Sequence, residues 1–143
     1  MRSSVDTRMT AGRRVEISID GASRGNPGPA GVGVVFTASD GTIVRELSKA
    51  IGETTNNVAE YLALLYALQE ALKGGYTSVA VNTDSELLAF QLTGRYKVRD
   101  ATLRVFHDLA LHLIQGFRQF DIRHIPREQN RRADRLASHA ARP

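Results

Sequence analysis

One stretch near the amino terminus, residues 14–29 (RVEISIDGASRGNPGP), constrains the fold more than any other. Apolar and polar residues alternate from Val15 to Asp20, which predicts a strand with one buried face. We expect this strand to end at Asp20, on its polar face, before a loop dense in glycine and proline. An acid at a strand end beside a glycine loop suits a bound cation or phosphate, and it is equally consistent with an ordinary polar turn.

The composition indicates a single globular domain. A chain of 143 residues, of which 42% are hydrophobic, is long enough to bury a substantial core. The absence of cysteine excludes disulfides, thiol nucleophiles and zinc–thiolate sites, and it is compatible with a reducing cytoplasm. No apolar run is long enough to cross a bilayer. Residues 1–13 lack the apolar core of a signal peptide, so we expect a polar tail followed by one domain over residues 14–143.

The charge favours a polyanionic partner. The net charge is +4, and arginine carries most of the positive charge because only Lys49, Lys73 and Lys97 are lysines. The planar guanidinium group of arginine suits phosphate. A basic domain of this size therefore favours nucleic acid as a partner, although many proteins that bind no nucleic acid are equally basic.

The first half of the domain predicts a meander of three antiparallel strands followed by a helix. Residues 31–36 (GVGVVF) form the second strand, the Asp40–Gly41 pair signals a hairpin turn, and residues 42–51 alternate as the third strand. Residues 54–57 (TTNN) are helix-capping types, and residues 58–73 predict a strong helix. Because this helix is apolar on nearly all sides, we expect it to be buried against a sheet.

The second half alternates strands and helices. A fourth strand is predicted over residues 77–84, and the helix before it makes a crossover that should leave this strand parallel to the first. The remaining elements are a short helix over 85–92, a basic connection over 93–100, a helix over 101–115, a strand over 120–125, a basic loop over 127–132 and a closing helix over 131–141. This order predicts an α/β fold with a mixed five-stranded sheet, three antiparallel strands plus two parallel, and helices on both faces.

Four acids stand at the start or end of four different elements: Asp20, Glu60, Asp84 and Asp134. If the first and fourth strands are adjacent and parallel, Asp20 and Asp84 lie side by side. Clustered carboxylates raise one another's pKa, and hard divalent cations relieve their repulsion. Two such ions can clamp the attacking and leaving oxygens of a phosphodiester. For Glu60 alone, the favourable interaction of an acid with a helix N-terminus is an equally good explanation.

These residues resemble a known family, type 1 ribonuclease H, in a short form, over roughly residues 15–141. The motifs that carry the resemblance are IDGASRGNPGPAG, TTNNVAEYLAL, TDSELL and REQNRRADRLA. The resemblance implies the ribonuclease H-like fold and hydrolysis of the RNA strand of RNA–DNA hybrids, leaving 5′-phosphate and 3′-hydroxyl ends. It implies Mg²⁺ as the cofactor, two ions per site, with Mn²⁺ as a substitute. It places the family's four metal-binding and catalytic carboxylates on Asp20, Glu60, Asp84 and Asp134.

The resemblance also implies a set of substrate contacts. Asn26, Asn56 and Asn57 match positions near the 2′-hydroxyls or bases of the hybrid, and their amides both donate and accept hydrogen bonds, as reading a 2′-hydroxyl requires. Ser23 matches a backbone contact and Thr55 matches a DNA-phosphate contact. Helix capping is the alternative role for Asn56 and Asn57, and one of them could serve both purposes.

Two single residues depart from the family pattern. Many members carry a mobile histidine before the last aspartate, in a longer loop, that helps product release. His124 has that spacing, but its surroundings are those of a strand, so we assign the role to Arg127 in the short loop and a structural role to His124. Glu86 stands where some relatives have glutamine, and we place it among the substrate contacts.

A larger departure follows Asp84. The segment is too short to hold the basic helical protrusion with which some members grip the hybrid. The resemblance is therefore to a short form, and we expect Tyr96, Lys97 and Arg99 to substitute partly for the protrusion and hybrid binding to be weaker.

Two other functions fit the same fold, because fold does not imply function. A non-catalytic nucleic-acid-binding module should have lost at least one of the four carboxylates, and none is missing. A nuclease acting on DNA, such as a junction resolvase or an integrase core, would not need the three asparagines that suit a 2′-hydroxyl. Double-stranded RNA, which some family members cleave, is a further candidate substrate. We expect a cytoplasmic monomer without membrane association.

Overall fold

The computed structural model describes residues 13–142, which form a mixed five-stranded sheet with helices on both faces. The strands are β1 (Arg14–Ser23), β2 (Gly28–Thr37), β3 (Ile43–Thr54), β4 (Ser78–Thr83) and β5 (Gln119–His124). The helices are α1 (Asn56–Lys73), α2 (Glu86–Leu92), α3 (Ala101–Ile114) and α4 (Arg131–Ala140), with a short 3₁₀ turn at Arg127–Gln129. Each predicted element is present, and the predicted fold class is confirmed.

The sheet has the strand order β3-β2-β1-β4-β5. Strand β1 pairs antiparallel with β2 and parallel with β4, and β5 runs parallel to β4. The parallel pairing of β1 with β4 ends where Ile19 lies opposite Thr83. The next residues along the two strands are Asp20 and Asp84, so the predicted juxtaposition of these two acids is confirmed.

The core lies between the sheet and α1. Fully buried aliphatic residues of β1, such as Ile17 and Ile19, and of α1, such as Leu64 and Leu68, form it. The prediction that this helix, rich in alanine and leucine, is buried against a sheet is therefore confirmed. Helix α3 packs beside α1, and α4 packs against β1, β2 and β3. Among the described residues, no helix is long and apolar enough to cross a membrane.

Strand β1 is longer than predicted, so Asp20 lies within it rather than at its end. Gly21, Ala22 and Ser23 continue to pair with β2, and the loop between the two strands shrinks to residues 24–27. The prediction was wrong because backbone pairing in a hairpin does not require alternating side chains. Asp20 nevertheless follows the last residue that pairs with β4.

Helix α1 begins at Asn56, two residues earlier than predicted, because Thr55 caps it. The Thr55 side chain accepts a hydrogen bond from the backbone N–H of Val58 at 3.3 Å. Asn56 and Asn57 lie in the first turn of the helix. The alternative in which one of these asparagines caps the helix is therefore wrong.

The predicted tail lies outside the described residues except for Arg13, which belongs to the folded domain. Its carbonyl oxygen accepts hydrogen bonds from the backbone N–H groups of Thr77 and Ser78. Its guanidinium group donates to the carbonyl of Gly74 at 2.6 Å and lies 4.3 Å from the centre of the Tyr76 ring. The placement of Arg13 in the tail is thus corrected.

Candidate active site

An acidic cleft of about 390 Å³ opens where the parallel pairing of β1 with β4 ends. Its lining includes all four of the acids predicted from the sequence, together with Arg127: Asp20, Glu60, Asp84 and Asp134. The acids come from β1, from the second turn of α1, from the first turn of α4 and from the residue after β4. Residues that are far apart in the chain are thereby brought to one place.

Three of the acids form a compact cluster. Asp20, Glu60 and Asp84 each offer one carboxylate oxygen, and these oxygens lie within 4.8 Å of one another. Asp20 and Glu60 are buried, whereas Asp84 is partly exposed. This donor set consists of oxygen alone, which suits hard cations such as Mg²⁺ and Mn²⁺.

Asp134 lies at the outer edge of the cluster. Its side chain is 33% exposed, and its Oδ1 lies 4.0 Å from Nη2 of Arg127. Asp134 is close enough to the buried acids to be among the groups that raise the pKa of Asp20. The fourth acid is therefore reachable from solvent in a way that Asp20 and Glu60 are not.

Burial and mutual repulsion make the cluster hold protons when no cation is present. Burial is the largest cause that raises the pKa of Asp20, to about 9, and the charges of Glu60 and Asp84 raise it further. The pKa of Glu60 is raised by burial and then by Asp84. Burial also raises the pKa of Asp84, while the guanidinium of Arg127 opposes this shift. A divalent cation would take the place of these protons.

Two glycines allow helices to lie directly on the sheet, and so place two of the acids. A Cβ atom on Gly21 would lie 2.3 Å from the backbone of Ala59, which allows α1 to approach β1. The N–H of Gly21 then donates to Oε1 of Glu60 at 3.0 Å. On the other face, a Cβ on Gly33 would lie 2.2 Å from the carbonyl oxygen of Ala133, one residue before the fourth acid.

Asn130 supports the site and was not singled out from the sequence. Its side chain is buried, and its Nδ2 donates to the carbonyl oxygen of Ile19 at 2.8 Å. This bond ties the start of α4 to β1 one residue before Asp20. Sequence reasoning missed it because an asparagine just before a helix is an ordinary capping residue, yet this side chain makes no capping hydrogen bond.

Arg127 and His124 occupy different places. Arg127 begins the 3₁₀ turn and lines the acidic cleft. His124 is the last residue of β5, opposite Thr83, and its ring packs edge-on against Phe90 with the ring centres 6.0 Å apart. The expectation that His124 is a strand residue is confirmed.

The residues predicted to bind substrate fall into two clefts. Ser23 and Asn56 line the acidic cleft. Asn26, Thr55 and Asn57 line a neighbouring cleft of about 380 Å³ beside the start of α3. The two clefts are linked, because Oδ1 of Asn26 accepts a hydrogen bond from the backbone N–H of Asn56 at 2.9 Å.

Glu86 lies in neither of these clefts. It opens α2, and its carboxylate accepts a hydrogen bond from the hydroxyl of Tyr96 at 2.5 Å. The structure thus joins Glu86 to the connection between α2 and α3 and leaves it outside the group of polar residues around the acids.

A mixed sheet with a carboxylate cluster beside its two central parallel strands defines a class of α/β proteins with a candidate divalent-cation site. Comparison with known families narrows this class. The family described as Reverse transcriptase-like matches residues 18–140. A ribonuclease H of Rhizobium etli is 32% identical over an alignment that covers 92% of this chain and 93% of that protein.

Solved structures agree in fold. RNase H1 of the halophilic archaeon Halobacterium salinarum superposes with a TM-score of 0.87 at 47% identity, covering 89% of this chain and 96% of that one. LC11-RNase H1 in complex with an RNA/DNA hybrid gives a TM-score of 0.85 at 44% identity, with 89% and 96% covered. The chain belongs to the ribonuclease H group of the Reverse transcriptase-like family.

Some relatives are longer than this chain. The matched region is 90% of this chain but 65% of the curated ribonuclease HI of Halobacterium salinarum, at 47% identity. It is 35% of a bifunctional protein of Mycobacterium tuberculosis, also at 47% identity. As the resemblance to a short form predicted, α2 ends at Leu92 and a connection without a helix leads to α3.

Proposed function

We propose that this protein hydrolyses the RNA strand of RNA–DNA hybrids with divalent metal ions as cofactors. The observation that carries the proposal is the set of three carboxylate oxygens, from Asp20, Glu60 and Asp84, within 4.8 Å of one another in a cleft. A relative at 44% identity has been solved with an RNA/DNA hybrid, which supports the same class of substrate here.

We assign the four acids to metal binding and catalysis. Asp20 and Glu60, buried and rigidly placed, would hold cations at the floor of the cleft, with Asp84 beside them and Asp134 at the rim. Two Mg²⁺ ions, when bound, would supply an activated water and stabilise the leaving oxygen, and the products would then carry 5′-phosphate and 3′-hydroxyl ends. Mn²⁺ should substitute, because it accepts the same oxygen ligands.

The polar residues around the acids would orient the hybrid. Ser23 and Asn56 line the acidic cleft and are placed to contact the strand that is cut. Asn26, Thr55 and Asn57 line the neighbouring cleft, where amide and hydroxyl groups suit 2′-hydroxyls and phosphates. Their spread over two adjoining clefts suits a substrate with two strands.

Arg127 and Glu86 have less direct roles in this proposal. Arg127, exposed at the cleft and 4.0 Å from Asp134, would help the cleaved phosphate to leave by attracting its charge away from the acids. Glu86 stays a predicted substrate contact. Because its carboxylate is hydrogen-bonded to Tyr96, the two side chains would contact the substrate together.

The test is cleavage of a hybrid labelled separately on each strand, with Mg²⁺ and Mn²⁺ titrated in parallel. We expect only the RNA strand to be cut, and Asp20→Asn to abolish the cutting while the protein remains folded. An intact hybrid that still binds after chelation would indicate a non-catalytic binding module instead. Equal cleavage of an all-DNA duplex would indicate a DNA nuclease.

Three further properties need their own measurements. A double-stranded RNA substrate in the same assay decides whether that duplex is also cut. The monomeric state is a prediction from the sequence, and sedimentation at several protein concentrations tests it. The cytoplasmic location likewise stays a prediction.

A further inference from the structure

A second cavity, of about 1060 Å³, lies apart from the acidic cleft. The end of α2, residues 94–99 of the connection after it and the start of α3 form its walls. Its lining includes three cationic side chains, those of Lys97, Arg99 and Arg104. In the part of the chain that the structure describes, none of the three is ion-paired with an acid. One acid, Asp108 of α3, also lines the cavity, so its lining carries an excess of positive over negative charge.

One buried side chain, that of Gln91, joins the walls of this cavity. Gln91 is only 5% exposed, at the last turn of α2. Its Oε1 accepts a hydrogen bond from the Tyr61 hydroxyl of α1 at 2.5 Å. Its Nε2 donates to the carbonyl oxygen of Lys97 at 3.2 Å. Its own carbonyl lies 3.2 Å from Nε2 of His107 in α3, which must be the donor because a carbonyl can only accept.

Gln91 supplies a side-chain hydrogen bond to the second half of the connection, where Val98 also packs against the hydrophobic core. Arg95 and Tyr96 are held by hydrogen bonds from their backbone N–H groups to the carbonyl of Phe90. For residues 97–99, the hydrogen bond that the described structure contains is the one from Gln91 to the Lys97 carbonyl. Because a buried polar group is fixed by its partners, Gln91 holds the backbone from which Lys97 and Arg99 project.

The distance from the carboxylates suits contact with the same nucleic acid. Asp84 lies at the start of α2 and Gln91 near its end, and a helix of this length spans about 10 Å. The cavity therefore lies within reach of a duplex that binds at the carboxylates.

We infer that Gln91 is a positioning residue for substrate binding. Its side chain fixes the connection against α1, so that Lys97 and Arg99, beside Arg104 of α3, face the phosphates of a bound duplex. This inference rests on the proposed function, because it takes the nucleic acid to be the substrate. It assigns to Gln91 an effect on binding rather than on the chemical step.

The test compares Gln91→Met, which preserves volume but removes both hydrogen bonds, with the unaltered protein on one hybrid. We expect KM and the dissociation constant for hybrid to rise about fivefold, the effect of losing the hydrogen bond that holds Lys97, with kcat nearly unchanged. Affinity should also depend less steeply on salt, because fewer phosphate contacts are made. Gln91→Glu, which retains only the acceptor for Tyr61, serves if Gln91→Met does not fold, and it should show the same loss.

A double-mutant cycle separates positioning from a general structural role. If Gln91 acts through the cations of the connection, Gln91→Met should weaken hybrid binding less in the Lys97→Ala protein than it does in the unaltered protein. Arg118→Ala, an exposed cation outside the cavity, is the matched control, and its effect should simply add to that of Gln91→Met.

Several results would overturn the inference. One is unchanged KM and affinity in Gln91→Met while the unaltered protein cleaves, which leaves the proposed function standing. Another is a fall in kcat alone, which would indicate an effect through Tyr61 on the adjacent Glu60. Full additivity with Lys97→Ala is a third. If the unaltered protein does not cleave, the proposed function fails, and equilibrium binding of hybrid still decides the role of Gln91.

Discussion

The backbone N–H of Gly21 donates a hydrogen bond to the Glu60 carboxylate at 3.0 Å, across a close contact between β1 and α1. The bond exists because the helix can lie where a side chain on Gly21 would otherwise stand. It fixes one carboxylate oxygen beside Asp20, the residue before this glycine. The position of Glu60 therefore depends on a residue that has no side chain.

Replacing Gly21 with alanine should displace Glu60. The added Cβ would lie 2.3 Å from the Ala59 backbone, a distance that requires α1 to move. We expect a loss of about 2 kcal/mol or more in the free energy of unfolding and about a hundredfold loss of kcat/KM. Urea denaturation and hybrid cleavage measure the two effects.

Gly41→Asn is the matched control for this substitution. Gly41 lies in the turn between β2 and β3, where a Cβ meets nothing within 4 Å, and asparagine tolerates its φ of +90°. The control should keep full activity. Full activity in Gly21→Ala would show that α1 tolerates a larger separation from β1 without losing the site.

The sequence was informative where local patterns decide the structure. Alternation in β1 and the crossover through α1 were enough to predict that Asp20 and Asp84 lie side by side. The length of α1 was also nearly right, since alanine and leucine favour a helix and Gly74 follows it. These features depend on neighbours in the chain.

The sequence was less informative where distant backbones meet. The sequence shows a glycine at position 33, but it does not show why one is needed there. The contact of Gly33 with Ala133 of α4 depends on the packing of elements about a hundred residues apart. The same holds for Asn130, which binds the carbonyl of Ile19 rather than capping its own helix. Strand β1 extends beyond Asp20 because its backbone pairs with β2, and the alternation of apolar and polar side chains does not reveal this pairing.

The stability of the metal-free protein should fall as the pH rises. Folding raises the pKa of Asp20 from 3.8 to about 9, so its stabilising contribution is complete below about 4 and is lost as the pH passes through about 9. In a chelator, the melting temperature should decrease across this range. The melting temperature of Asp20→Asn should decrease less, and at the alkaline end it should lie several degrees above that of the unaltered protein.

With added Mg²⁺ at neutral pH, the unaltered protein should melt at a higher temperature than Asp20→Asn. A cation stabilises the ionised cluster of the unaltered protein, and it has one carboxylate fewer to bind in Asp20→Asn. Calorimetry with and without Mg²⁺ measures the difference. Equal stabilisation of both proteins by Mg²⁺ would place the cation somewhere other than beside Asp20.

Asn130→Ala should loosen α4 without removing any acid. The substitution leaves the Ile19 carbonyl without its buried partner, which should cost about 1–3 kcal/mol in the free energy of unfolding. Because Asp134 lies one turn further along α4, the concentration of Mg²⁺ that gives half-maximal cleavage should rise. Ser138→Ala, also in α4 and beside the cleft, is the control and should leave both quantities unchanged.

Arg127→Ala should slow the release of product more than the cleavage of the bond. The guanidinium is exposed in the cleft, 4.0 Å from Asp134, where it can attract the new phosphate but does not hold the buried acids in place. We expect kcat to fall about tenfold while the first turnover keeps most of its rate, so that a burst of product appears before the steady state. Rapid-quench measurement of the labelled RNA strand resolves the two phases. Arg127→Lys keeps the charge and should restore part of the steady-state rate. An equal loss in the first turnover would instead assign Arg127 to the chemical step, through the charge that it places beside Asp84.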